Sequence, residues 1–96
     1  MSTINERFTW AVEVMSVQPT DTILEIGCGT GILAGEVASK FTTGCVIAID
    51  KSAPMIMKAE KRNKKFIESG RATFKEMAIE EYSDASASFD KIVAFK

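Results

Sequence analysis

Apolar residues recur along the chain with two alternating periods. Phe8, Ala11, Val12 and Met15 follow helical spacing over residues 6–16 and lay one apolar stripe along a helix. Pro19-Thr20-Asp21 breaks it. Thr22 to Ile26 is short, apolar and β-branched, with Pro and Asp before it and Gly after, which predicts a buried strand. Ile32 to Phe41 returns to the helical period, with Leu33, Val37, Ala38 and Phe41 on one face, and Thr42-Thr43-Gly44 ends it. Cys45 to Ile49 reads as a second buried strand, ending at Asp50. Ser52 is a good N-cap and Pro54 fits a first helical turn. The helix that follows runs to about Ser69, with Ile56, Ala59, Asn63, Phe66 and Ile67 inward, although Asn63 weakens that stripe, and Gly70 is its stop. Arg71 to Lys75 is a third, weaker strand, Ala78 to Tyr82 a single turn, and Ser83 to Ser88 a small polar loop. Phe89 to Phe95 is the fourth strand, with Ile92-Val93-Ala94-Phe95 as its apolar end.

Helices alternating with strands in this order imply a parallel sheet with right-handed crossovers, an α/β fold with helices on both faces. The 96 residues fit one domain or part of one, so residues 1–96 are expected to form a single unit. Apolar and charged fractions of 46% and 26% exclude a disordered chain. Twelve Lys+Arg against 13 Asp+Glu leave a net charge of −1, which argues against a broad nucleic-acid surface. The basic run Lys58, Lys61, Arg62, Lys64, Lys65 then reads as a solvated helix face. No apolar run approaches the ~20 residues of a membrane span, and Met1 to Glu6 lacks the features of a signal peptide. A cytoplasmic protein is expected. The absence of His excludes imidazole-based triads and His-ligated metals. Cys28 and Cys45, the only thiols, are not expected to pair in a cytosolic chain. Trp10 and Phe8 are expected on the apolar face of the first helix.

The chemistry concentrates in Ile23-Leu24-Glu25-Ile26-Gly27-Cys28-Gly29-Thr30-Gly31, which runs from a strand into a helix. Glycines there permit positive φ and close approach of a ligand to main-chain atoms. Asp50 follows Gly31 by 19 residues, at the tip of the neighbouring strand. An acidic residue at about that distance accepts hydrogen bonds from a ribose. The two features describe a nucleoside-bearing cofactor lying across the C-terminal ends of two adjacent strands. The spacing G-x-G-x-G departs from the dinucleotide pattern G-x-G-x-x-G, because Ile32 stands where that pattern wants Gly. Glu25, two residues before the first glycine, is also foreign to it. No G-x-x-x-x-G-K-[ST] loop for nucleoside triphosphates is present.

Leu24 to Gly31 resembles the first motif of class I S-adenosylmethionine-dependent methyltransferases. Asp50-Lys51-Ser52-Ala53-Pro54-Met55-Ile56 resembles their second motif, and Ser88-Phe89-Asp90-Lys91-Ile92-Val93 the approach to their fourth strand. The likeness runs from about residue 8 to 96. It implies a Rossmann-like parallel sheet of about four strands ordered 3-2-1-4, truncated relative to the seven-stranded family fold. By the resemblance, Gly27, Gly29 and Gly31, with Cys28 among them, bring backbone close to the methionine end of the cofactor. Glu25 supports that end, Asp50 binds both ribose hydroxyls, and Lys51 and Met55 border the adenine. Many relatives place an Asp after the third strand to accept from the adenine amino group. Here the chain reads Lys75-Glu76-Met77-Ala78, so either Glu76 takes that role in shifted register or Met77 replaces it with apolar packing, while the Ala78 N–H can still serve.

The resemblance implies methyl transfer from S-adenosylmethionine, with S-adenosylhomocysteine as product, to an unidentified acceptor, this chain supplying the cofactor-binding half. No general base is nominated, and Glu80, Glu81 and Asp84 read as solvated carboxylates. Cys28 reads as a small packing residue, since no base accompanies it. A fourth strand left at a sheet edge invites pairing with another chain, so self-association through residues 89–96 is expected. Two alternatives stay open: a non-catalytic module that binds cofactor or a partner, and a dinucleotide-dependent oxidoreductase, which Ile32 and Glu25 disfavour.

Overall fold

The computed structural model describes residues 4–82 and 89–94. The expected loop Ser83–Ser88 and the end of the fourth strand at Phe95 lie outside them. The elements are α1 (Ile4–Met15), β1 (Thr22–Ile26), α2 (Ile32–Ala38), β2 (Cys45–Asp50), α3 (Ala53–Arg62), α4 (Lys64–Glu68), β3 (Ala72–Glu76), a 3-10 turn (Ile79–Glu81) and β4 (Lys91–Val93). All strands are parallel, in the order β3-β2-β1-β4. This is the Rossmann-like order the sequence led us to expect.

The register decides which side chains share a face. Ile23 lies beside Val46 and Lys91, Glu25 beside Ala48 and Val93, and Val46 and Ala48 beside Ala72 and Phe74. On that face Ile23, Val46, Ala48, Ala72 and Phe74 join one apolar core with Ala11 and Val12 of α1, Leu33, Ala34, Val37 and Ala38 of α2, and Ile56 and Ala59 of α3. Helices were expected on both faces; among the described residues α1, α2 and α3 all contribute to this one core. For α2 and α3 the physical reason is handedness, whereas α1 precedes β1 and reaches this core by packing on α2. Successive right-handed crossovers that step in one direction across a sheet, from β1 to β2 to β3, put their helices on the same side. The opposite face carries Leu24, Ile49 and Ile92, of which the first two are buried and Ile92 is 49% exposed.

Polar contacts fix β4 against β1. The Lys91 ammonium lies 2.6 Å from Asp21 Oδ2, which also accepts the Gln18 N–H. Asp90 accepts the Thr22 N–H through its carboxylate, and its own N–H donates to the Thr22 carbonyl. The Lys91 bond first, then the Gln18 N–H, hold the Asp21 carboxyl below its ordinary value of 3.8.

Several elements differ from the sequence expectation. α2 ends at Ala38 rather than Phe41, because the Pro19 carbonyl accepts from the N–H groups of Thr42, Thr43 and Gly44 and draws the chain away. Phe41 still packs on the core. α3 begins as expected, with Ser52 Oγ accepting the Met55 N–H at 3.3 Å and Pro54 in its first turn. The single helix expected to reach Ser69 is instead interrupted at Asn63, whose backbone leaves the helical region at φ −110°. The break turns Ile67 outward, to 37% exposure, although it was expected inward. Trp10, expected on the apolar face of α1, is 62% exposed; Phe8, Ala11, Val12 and Met15 supply the packing face.

Candidate functional site

The site forms where β1 and β2 end side by side, with Ile26 opposite Ile49. After Ile26 the chain folds over the tip of β2. The Gly27 and Cys28 N–H groups both donate to the Ile49 carbonyl, at 2.8 and 2.9 Å. The Asp50 carboxylate then ties two segments together. One oxygen accepts the Gly29 N–H and the other the Ser52 N–H, each at 2.9 Å. The glycine loop and the entry to α3 are therefore held by one side chain.

All three glycines of the loop have positive φ, Gly27 at +73°. Gly29 sits at φ +55° and Gly31 at φ +81°, in the left-handed region that side chains disfavour. Gly31 is also crowded: a Cβ there would lie 2.7 Å from Asn63 Nδ2 and 2.9 Å from the Ala59 Cβ.

Glu25 lies at the base of the loop and is 3% exposed. Among the described residues its Oε1 has no hydrogen-bond partner. Burial, and secondarily the charge of Asp50, push its carboxyl from 4.5 to about 8. The Cys28 thiol is pushed up to about 12, by burial first and then by Glu25 and Asp50. It stays protonated near neutral pH, as a packing residue should.

An open groove of about 490 Å³ runs along these strand ends. It is lined by Ile26 and Gly27 at the end of β1, by Ile49, Asp50 and Lys51 at the end of β2, by Met77, Ala78, Ile79 and Glu80 after β3, and by Ala94 after β4. Of the residues singled out from sequence, Gly27, Asp50, Lys51, Met77 and Ala78 are brought together here. Cys28 and Gly29 form the loop beside it and Glu25 lies buried at its base. Gly31 packs against α3, and Met55 is half-buried in the first turn of α3 without lining the groove. Between Glu76 and Met77, it is Met77 that reaches the groove. The Met77 N–H donates to the Asp50 carbonyl, which sets that position. The Ala78 N–H is engaged by Glu81 Oε1 at 2.7 Å. Ile26, Ile49, Ile79, Glu80 and Ala94 were not singled out. The signal for most of them was positional, since ligands of such sheets bind just outside the carboxyl ends of the strands.

Sheet order, glycine loop and acidic strand tip together define an α/β protein of the Rossmann-like class. A family model described as "methyltransferase domain" matches residues 23–96, and the chain belongs to that family. Among solved structures it is similar to an RNA methyltransferase from Salinibacter ruber in complex with S-adenosyl-L-homocysteine. The TM-score is 0.82 at 17% identity, over 100% of this chain and 61% of that one. It is also similar to coclaurine N-methyltransferase bound to N-methylheliamine and S-adenosylhomocysteine, with TM-score 0.78 and 22% identity over 93% of this chain and 26% of that one. A third is a cyclopropane-fatty-acyl-phospholipid synthase-like protein from Lactobacillus casei, with TM-score 0.78 and 24% identity over 94% and 36% of the two chains. At these identities the likeness is one of fold. The chain spans between 26% and 61% of the length of these three structures. No curated protein matches it. No helix among the described residues is long and apolar enough to cross a membrane.

Proposed function

We propose that this chain binds S-adenosylmethionine, and its product S-adenosylhomocysteine, in the groove at the strand ends. In this reading it is a single cofactor-binding unit of a methyltransferase with an unidentified acceptor. The observation that carries the reading is the pairing of Asp50 with the buried Glu25, whose Oε1 finds no partner among the described residues. Each Asp50 oxygen accepts one backbone N–H and keeps acceptor capacity for a second donor, which suits two vicinal hydroxyls. A buried oxygen without a partner is costly, and Glu25 Oε1 is left in that state. A cationic donor at the methionine end of the cofactor relieves it. Ile26, Ile49, Met77 and Ile79 supply apolar surface for a flat base. When bound, the cofactor supplies a sulfonium methyl already activated for in-line displacement. The work left to Asp50, Glu25 and the Gly27–Gly31 loop is to bind it and hold its orientation.

The dinucleotide alternative loses ground to the family membership. Self-association through the edge strand belongs to the reading and is supported by the outer edge of β4, which no other described strand pairs, and by Ile92, exposed on the sheet face beside it. A dimer by light scattering at tens of micromolar is expected, and a monomer contradicts it. A cytoplasmic location is supported by the two unpaired thiols, and nucleic acid is not an expected partner. The binding assignment is tested by an NMR titration of the 96-residue chain. S-adenosylhomocysteine should move the amide signals of Gly29, Ser52 and Met77, whereas NAD leaves them in place. Shifts confined to other residues sink the assignment.

A further inference from the structure

Asn63 is only 2% exposed, at the point where α3 gives way to α4. A buried carboxamide is costly unless its polar atoms find partners. Its Nδ2 donates to two carbonyls, those of Ala59 and Gly31, each at 3.0 Å. The first bond is local and would close any helix end. The second crosses 32 residues of sequence and reaches the last glycine of the loop beside the groove. Room for the side chain is cut into α2. A Cβ on Gly31 would lie 2.7 Å from Nδ2, and a Cβ on Gly35 would lie 2.6 Å from Oδ1. Two glycines one turn apart thus leave a slot that the carboxamide fills.

The Gly31 carbonyl also accepts the Gly35 N–H, while the Gly31 N–H donates to the Cys28 carbonyl. Asp50 holds the loop at Gly29, and Asn63 holds it at Gly31. Simple helix packing would be served as well by a small apolar residue, without the desolvation cost. A directional donor in the slot points to control of the loop.

We propose that Asn63 is a positioning residue for the cofactor loop. By anchoring the Gly31 carbonyl it holds Gly27–Gly31 in the conformation that binds cofactor, and so raises affinity through preorganisation. The proposal rests on the reading of the groove as a cofactor site, and its test separates the two. Asn63→Ala removes the donor and empties the slot. Adding Gly35→Ala refills the slot and gives α2 a better helix former, because Gly35 has no positive φ to lose. The double variant should recover most of the melting temperature lost by Asn63→Ala. Its dissociation constant for S-adenosylhomocysteine should stay about tenfold weaker than wild type, the scale of one lost hydrogen bond. Without ligand, Gly29 and Gly31 amides should exchange faster with solvent than in wild type, relative to the core amide of Val46. Affinity and exchange returning together with melting temperature would make Asn63 a packing residue and overturn the proposal.

Failure of wild type to bind S-adenosylhomocysteine overturns the cofactor reading alone, because exchange in the ligand-free chain still decides whether Asn63 holds the loop. If the double variant does not fold, Asn63→Ala by itself decides. Selective loss of protection at Gly29 and Gly31 supports the proposal, and uniform loss that includes Val46 refutes it.

Discussion

Replacing Glu25 by Gln keeps the size of the side chain and removes its charge. Glu25 is buried, its Oε1 has no partner among the described residues, and its carboxyl is raised from 4.5 to about 8 by burial and then by the nearby Asp50. The sign of the consequence follows from proton counting. Between those two values the native chain holds a proton that the unfolded chain has released. The contribution of Glu25 to stability is therefore complete below 4.5 and is lost as pH rises towards 8. One proton of difference changes the folding constant about tenfold per pH unit. From pH 5 to pH 7 the stability of Glu25→Gln relative to wild type should thus improve about a hundredfold, or about 3 kcal/mol. Urea unfolding of both proteins at pH 5, 6 and 7 measures it, and groups common to both cancel in the difference. A difference that does not vary with pH would refute the reasoning. A second arm uses binding. A cationic ligand group beside Glu25 should pull its proton off, so wild type releases protons on binding S-adenosylhomocysteine near pH 7 and Glu25→Gln does not. Calorimetry in two buffers of different ionisation enthalpy reads that release.

Asp50→Ala removes the acceptor for both the Gly29 and Ser52 N–H groups as well as the proposed ribose contact. S-adenosylhomocysteine affinity, measured by calorimetry, should fall on the order of a hundredfold, given the strength of hydrogen bonds to a charged group. Lys91→Met breaks the pair with Asp21 and should cost up to about 1 kcal/mol at pH 7, since the lysine is partly exposed. A carboxyl held below its ordinary value stabilises above 3.8 and loses that contribution as pH falls, so the deficit should vanish once Asp21 is protonated. Urea midpoints across the acid range check it. Leu33→Ala empties a fully buried site in α2 and should cost about 2–5 kcal/mol in the same assay.

What the sequence disclosed was local. The strand-loop-helix passage from Thr22 to Ala38 announces itself by apolar runs and glycines, and Asp50 by its place after a β-branched strand. The alternation of elements gave a parallel sheet with right-handed crossovers, and the order of its strands came from the family resemblance. What stayed hidden depends on partners far along the chain. Asn63 looked like a flaw in an amphipathic stripe, because its reason for burial is the carbonyl of Gly31, 32 residues earlier. Lys91 and Asp21 are 70 residues apart, and neither has a neighbour in sequence that signals the pair. The break at Asn63 also moved Ile67 outward, which helical periodicity alone had put inside. In the site, Gly27, Asp50 and Met77 were legible because they close strands. Glu80 and Ala94 reach the groove only through the path of the chain after β3 and β4.

Calorimetric titration of the 96-residue chain with S-adenosylhomocysteine, with NAD as control, tests the central claim most directly. One saturable site for S-adenosylhomocysteine, weakened by Asp50→Ala, with no binding of NAD, is the predicted result. Absence of S-adenosylhomocysteine binding by the folded chain, or equal binding of NAD, would contradict it.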